Sequence, residues 1–208
     1  MVCGVIVENR DGQALKVIVG LLLVLPVALV VGLVNGAAPL SAAETLGGLW
    51  HFLNGDASSQ AAVIVGQIRL PRILLAAVVG AILACSGAAM QGLFRNPLAD
   101  PSLIGVTAGA SLGASIMIVL SGSATVGYVG LTLVSSGAFV GGLLAVLLVY
   151  RLATSAEGTS VATMLLAGIA ITALAGSVGN LLEFSADNDM LRQISLWRMG
   201  GLDGADYP

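Results

Sequence analysis

Residues 69–113 read RLPRILLAAVVGAILACSGAAMQGLFRNPLADPSLIGVTAGASLG, and the fold follows from how this stretch divides. Two arginines and a proline open it, and no charged residue then occurs from Ile73 to Phe94. A compact polar break, Arg95-Asn96-Pro97-Leu98-Ala99-Asp100-Pro101, separates that run from a second apolar run rich in glycine. About 20 apolar residues at ~1.5 Å rise cross the ~30 Å hydrocarbon core of a bilayer. The stretch therefore predicts two membrane-spanning helices joined by a short polar turn.

Composition agrees with that reading along the whole chain. Of the 208 residues 57% are hydrophobic and only 9% charged, where soluble domains carry roughly 25% charge. Most helix faces must meet lipid or other apolar helices. A net charge of -3 with eight basic residues leaves no basic stripe for nucleic acid. Cys3, in a polar head, and Cys85, inside an apolar run, do not form a disulfide framework.

The chain is expected to be all-α, a polytopic helical bundle in one membrane domain, 1–208, with five spans: 17–34, 72–92, 102–120, 126–149 and 161–182. Residues 1–16 form a polar head. The first span carries Pro26 in mid-run and is too long for the apolar part of a signal peptide, so it reads as uncleaved. Leu46–Leu53 reads as a short interfacial helix with Trp50 at headgroup level. Pro71 fits the first turn of span two, and Asp100-Pro101 supplies a cap and a pre-set φ for span three. Gly105, Gly109 and Gly113 recur every four residues, which puts them on one face for close helix packing. Gly137 and Gly141 do the same in span four. Gly168, Thr172, Gly176 and Asn180 fall on one stripe of span five. Residues 151–160 are a short polar connection, 183–208 a polar segment, and Met190–Met199 an amphipathic helix.

Several of these residues together resemble the FecCD family, the membrane permeases of bacterial ABC importers for iron–siderophore complexes, haem and cobalamin. They are Arg69-x-Pro71-Arg72, Ser86-Gly87, Gln91, the run from Arg95 to Pro101, Gly105 with Gly109-Ala110 and Gly113-Ala114, Leu191-Arg192-Gln193 and Trp197–Gly201. The resemblance covers most of 60–208. Family members are about twice this length, so the match reads as the N-terminal half of such a permease.

The resemblance implies an inner-membrane protein whose N-terminus is cytoplasmic and whose polar segment 183–208 is periplasmic. Charge bias does not decide this: Arg10, Lys16, Arg95 and Arg151 would then lie inside, and Arg69, Arg72, Arg192 and Arg198 outside, four against four. It also implies that Arg69 and Arg72 face the outer surface and dock a periplasmic or lipoprotein substrate-binding protein. From residue type alone they are equally arginines that snorkel to headgroups. Arg95, Asn96, Pro97, Asp100 and Pro101 would form a rigid inner turn near a partner ATPase dimer. Arg95 takes no coupling role, because the family's main coupling helices lie in its second half. Thr172, Gly176 and Asn180 would line the path through a pair of permease subunits, a homodimer. The alternative for Gln91 and Asn180 is a hydrogen bond to a neighbouring helix. The cargo order is haem or an Fe(III)-siderophore ahead of cobalamin.

No catalytic residue, metal site or cofactor is expected. His51 is the only histidine and sits in a loop without a second ligand close in sequence. Glu183, Asp187 and Asp189 read as an acidic outer loop, and Met90, Met164, Met190 and Met199 as packing residues. Lys16 is the only lysine and no GxxxxGK[ST] loop occurs, so ATP hydrolysis is expected of a partner. An intramembrane serine hydrolase built on Ser86 lacks a base within reach. An assembly protein, binding other membrane proteins through small-residue faces, is the third reading.

Overall fold

The computed structural model describes residues 2–122, 128–202 and 204–205. Positions 126–127 of the expected fourth span, and Asp203 and Asp206, lie outside the described residues. The described residues are all-α apart from one two-stranded hairpin. Among the described residues four helices are long and apolar enough to cross a membrane, and a fifth apolar helix is shorter. It divides into two compact units, residues 1–79 with 205–208, and residues 80–204.

In the first unit, α1 runs unbroken from Val2 to Val34 and carries Pro26 within it. The polar head is thus the start of the helix rather than a separate tail. Gln13, Ala14, Leu15 and Lys16 are good helix formers, and no proline precedes Pro26 to stop it. From Leu21 to Leu25 every side chain is exposed, as expected of a helix apolar on all sides.

Helix α2 (Ala42–Leu53) confirms the expected short helix and extends it by one turn at its start. Ser41 builds a reciprocal cap: its Oγ accepts from Glu44 N–H, and the Glu44 carboxylate accepts from Ser41 N–H at 2.8 Å. Ser41→Ala should cost about 1 kcal/mol, read as faster amide exchange confined to residues 42–45. Trp50 and Leu53 are exposed, whereas Gly48 and Phe52 press against Ala61 and Gly66.

The second span begins earlier than expected. Ser59 caps α3 (Gln60–Val63), and the helix continues through a widened π turn, Ile64–Arg69, into α4 (Leu70–Phe94). Pro71 is therefore interior, not at the first turn. A proline inside a helix lacks one donor and crowds the carbonyl four residues back. The widened turn just before it, closed by Leu70 N–H on Val65 O, relieves both.

In the second unit, Asp100 and Pro101 do start a helix, but a 3-10 turn, Pro101–Ile104, that ends at Gly105 in the left-handed region (φ 73). Helix α5 (Val106–Ser121) follows, 16 residues or roughly 24 Å. It is shorter than the expected span 102–120, because the 3-10 turn and the left-handed Gly105 take up its first residues. Helix α6 (Tyr128–Ala153) packs along α5. A tight hairpin, β1 (Thr154–Ser155) and β2 (Gly158–Thr159), makes the short polar connection. Ser160 then caps α7 (Val161–Ser185), and Asp187 caps α8 (Asn188–Met199).

Two apolar clusters hold this unit. One gathers Met90, Ile104, Val149, Met164 and Ile171. The other sets Ile194 of α8 among Ala114, Ile118, Val134 and Ala138 of α5 and α6, with Trp197 beside it. Glu183, expected in an acidic loop, sits in the last turns of α7 and pairs with Arg198 at 2.5 Å.

Candidate functional site

Four groups of residues were expected to matter, and the structure treats each differently. The arginine group lies in the first unit. Arg69, the last residue of the π turn, is buried, with 7% of its surface exposed. Its Nη1 donates to Leu33 O at 2.6 Å and Val34 O at 3.0 Å, and its Nη2 to Ala38 O. Arg72 is half-buried on the first turn of α4. Both line one groove of about 400 Å³ with Asn35, Gly36 and Ala38. Within this unit the two guanidinium groups differ in burial. Spacing of three residues does place them on one face, but the carbonyls ending α1 take up the first.

The segment from Arg95 to Pro101 forms a compact turn between α4 and the 3-10 turn. Arg95 ends α4 in the left-handed region (φ 47), uncommon for a residue with a side chain. Asn96 Oδ1 accepts from Leu98 N–H at 2.9 Å, and Asp100 Oδ1 from Ser102 N–H at 2.8 Å. Hydrogen bonds from the Ser102 hydroxyl, then its backbone N–H, hold the Asp100 carboxyl below its ordinary range. Ala99 is buried while Leu98 is 85% exposed, so the turn is pinned from within and shows its leucine outward.

The glycine face is real but one residue shorter than expected. Gly109 and Gly113 meet the backbone of Gly141 and Gly137 on α6, close enough that a methyl at either overlaps carbonyl oxygens. Gly105 does not share this face. It forms the left-handed turn before α5 and faces Gly168 and Ile171 of α7. The every-four spacing holds only where the helix is continuous, and the 3-10 turn interrupts it.

The stripe on α7 splits. Gly168 is buried against the backbone of Leu103, on the packed face with Met164, Ile171, Ala175 and Gly179. Thr172, Gly176 and Asn180 are exposed, and nothing in this chain lies within 4 Å of a methyl built on Gly176. On another face of α7 an apolar groove of about 310 Å³ opens between α5, α6 and α7, lined by Leu112, Ile116, Leu144, Leu148, Leu174 and Val178.

The remaining candidates are locally engaged. Ser86 donates to Leu83 O of its own helix at 3.0 Å. His51 Nδ1 meets Asp56 Oδ2 at 3.1 Å, both exposed. The Ser58 hydroxyl and N–H, more than His51, hold the Asp56 carboxyl below its ordinary range. Cys85 is an exposed free thiol, and Gln91 is exposed. Met90 and Met164 are packing residues, as expected, while Met199 is exposed. Among the described residues no three His, Cys, Asp or Glu side chains are grouped to hold a metal ion. Sequence reasoning missed Gly36, whose only local signal was the Asn35-Gly36 turn dipeptide, and Ser59, a cap residue before an apolar run.

The comparisons with known proteins agree with one another. A model described as the FecCD transport family matches residues 21–208. The chain is 43% identical over 193 residues to the hemin transport system permease protein HmuU of Yersinia pestis, covering 92% of this chain and 55% of that one. It is 46% identical over 147 residues to the cobalamin import system permease protein BtuC of Halobacterium salinarum, covering 71% and 38%. A solved structure described as an inward-facing conformation of a metal-chelate type ABC transporter superposes with a TM-score of 0.72 at 29% identity, covering 92% of this chain and 55% of that one. The chain spans about half the length of these relatives.

Proposed function

The chain belongs to the FecCD transport family, and from that membership we propose that it is the transmembrane permease subunit of a bacterial binding-protein-dependent ABC importer. The cargo is an iron chelate, haem or an Fe(III)-siderophore, moved by alternating access. The observation that carries the cargo is the 43% identity to a hemin permease along 92% of this chain. A cobalamin importer is the second reading, favoured by the 46% identity over a shorter stretch. In this proposal 1–208 is one permease domain in the inner membrane with a cytoplasmic N-terminus, and a second permease subunit completes the path.

The division of labour follows from the residues. In this proposal ATP is hydrolysed by a separate ATPase dimer; these 208 residues hold a single lysine and no phosphate-cradling loop. Arg72, at the start of α4, meets the substrate-binding protein. The Arg95–Pro101 turn, at the other end of the same helix, lies on the ATPase side. Between them the exposed Thr172, Gly176 and Asn180 border the path, where small side chains leave room for a bulky chelate.

The test is ATP-driven uptake by the assembled transporter in proteoliposomes, comparing haem, a ferric siderophore and cobalamin. Uptake of haem or siderophore is the expected result. Uptake of cobalamin alone selects the second reading, and uptake of none rejects both. Gly176→Leu should leave the complex assembled, since its site is open in this chain, yet cut uptake by at least about tenfold, an amount equal to 1.4 kcal/mol on the barrier.

A further inference from the structure

Helices α7 and α8 follow one another with only Ala186 and Asp187 between them. The charges of α8 suit its macrodipole, because Asp189 lies in its first turn and Arg198 in its last. Glu183 does not suit its own helix. It stands in the last turn of α7, where unpaired carbonyls already make a negative end and no basic residue accompanies it. What answers it comes from the other helix: Arg198 Nη2 lies 2.5 Å from Glu183 Oε1. The same nitrogen passes over Gly179, buried one turn earlier on α7, and a methyl built there would stand 3.6 Å from it. A small residue thus leaves the space through which the arginine reaches.

We infer that Glu183 and Arg198 form a latch that couples the last turn of α7 to the last turn of α8, so that the two helix ends loosen together while the middle of α8 stays seated. The inference rests on packing within this unit and not on any cargo or carrier. Seat and latch are separate contacts, since Ile194 is held by residues of α5 and α6 and Arg198 by α7. The side chains of Arg198 and Glu183 are 41% and 27% exposed, so water competes for both and the latch opens without undocking the helix. Its two halves are not equivalent. Without Arg198, the Glu183 carboxylate is left against the negative end of α7. Without Glu183, Arg198 still suits the end of α8. Loss of the arginine therefore loosens both ends, and loss of the glutamate only one.

The experiment measures amide exchange in the full chain in nanodiscs of zwitterionic lipid, read separately over residues 183–187 and 197–200. Arg198→Gln is expected to speed exchange about fivefold in both segments, the upper end of what a pair so exposed contributes. Glu183→Gln should do so only over 197–200. Glu183→Arg combined with Arg198→Glu should return 197–200 to within about twofold of wild type, where Arg198→Glu alone does not. Arg192→Gln removes the same charge from the same helix without touching the pair, and should change neither segment. Wild-type exchange over 197–200 in both Arg198→Gln and Glu183→Gln overturns the latch, as does a double variant no slower than Arg198→Glu. Acceleration confined to 197–200 in Arg198→Gln overturns the coupling of the two ends. Equal acceleration in Arg192→Gln assigns the effect to net charge and overturns the pairing.

Discussion

Gly113→Leu is expected to abolish the folded α5–α6 pair and all transport with it. A Cβ at 113 overlaps the carbonyl oxygen of Gly137 and stands 3.2 Å from the Cα of Gly141. These are backbone atoms, so no rotamer change makes room. Either the helices separate or α5 rotates, and both outcomes open the seam at Gly109, where a methyl would already sit 2.5 Å from the Ala145 methyl. Separation also strips cover from Ala114 and Ile118, which are 0% and 3% exposed. Overpacking that side chains can absorb costs about 1–3 kcal/mol; a clash between main chains exceeds that range. The measurement is the yield and protease resistance of the purified chain in detergent. Gly80→Leu is the control, because nothing in this chain lies within 4 Å of that site. Equal resistance of the two variants would mean that α5 and α6 do not meet through their glycines.

Ile194→Asp is expected to release α8 from the bundle while α5, α6 and α7 stay packed. Ile194 is 2% exposed and is the residue of α8 seated deepest between α5 and α6. A carboxylate there has Ala114, Ile118, Val134 and Ala138 around it. An uncompensated buried charge costs roughly 3–5 kcal/mol, or the group takes up a proton and loses part of that. Besides the partly buried Met190 and Trp197 at the rim of the same cluster, α8 keeps the Asp187 cap, Met190 N–H on Oδ1 at 2.9 Å, and the partly exposed Arg198–Glu183 pair. An ion pair of that exposure is worth about 1 kcal/mol or less, so it does not keep the helix docked. Limited trypsin digestion reads the release directly, because Arg192 and Arg198 both lie on α8. Ile194→Asp should be cut within this helix at least about tenfold faster than wild type, whereas Ser195→Asp, on the exposed side, should not. Equal cutting of all three would show that α8 is not anchored by its apolar face.

Much of this architecture is legible in the residues because long apolar runs leave few alternatives. The start of α7, the existence of α2 and α8, and the pairing of Gly109 and Gly113 with another small-residue face all follow from local pattern. Failures occurred where a local signal had two consistent meanings. Pro71 fits a helix start as well as a widened turn inside a longer helix, and only the Ser59 cap separates the two. Gly105 continues the every-four spacing of its neighbours, yet a left-handed residue after a 3-10 turn satisfies the same sequence. Arg69 shows the deeper limit. Its partners lie more than 30 residues away, at the end of another helix, and no spacing rule contains them. The exposed Thr172, Gly176 and Asn180 are aligned as expected, but alignment alone does not say what passes beside them.

The guanidinium at the end of α1 also bears on how that helix behaves in a bilayer. Within its unit this 33-residue rod is fastened at its foot, by the arginine at Leu33 and Val34 and by Ile73 against Gly32, while its apolar length is left bare. A mast stepped at one end and without stays takes its lean from what surrounds it. Neighbouring helices and interfacial anchors, rather than contacts inside the unit, therefore set the angle at which α1 stands.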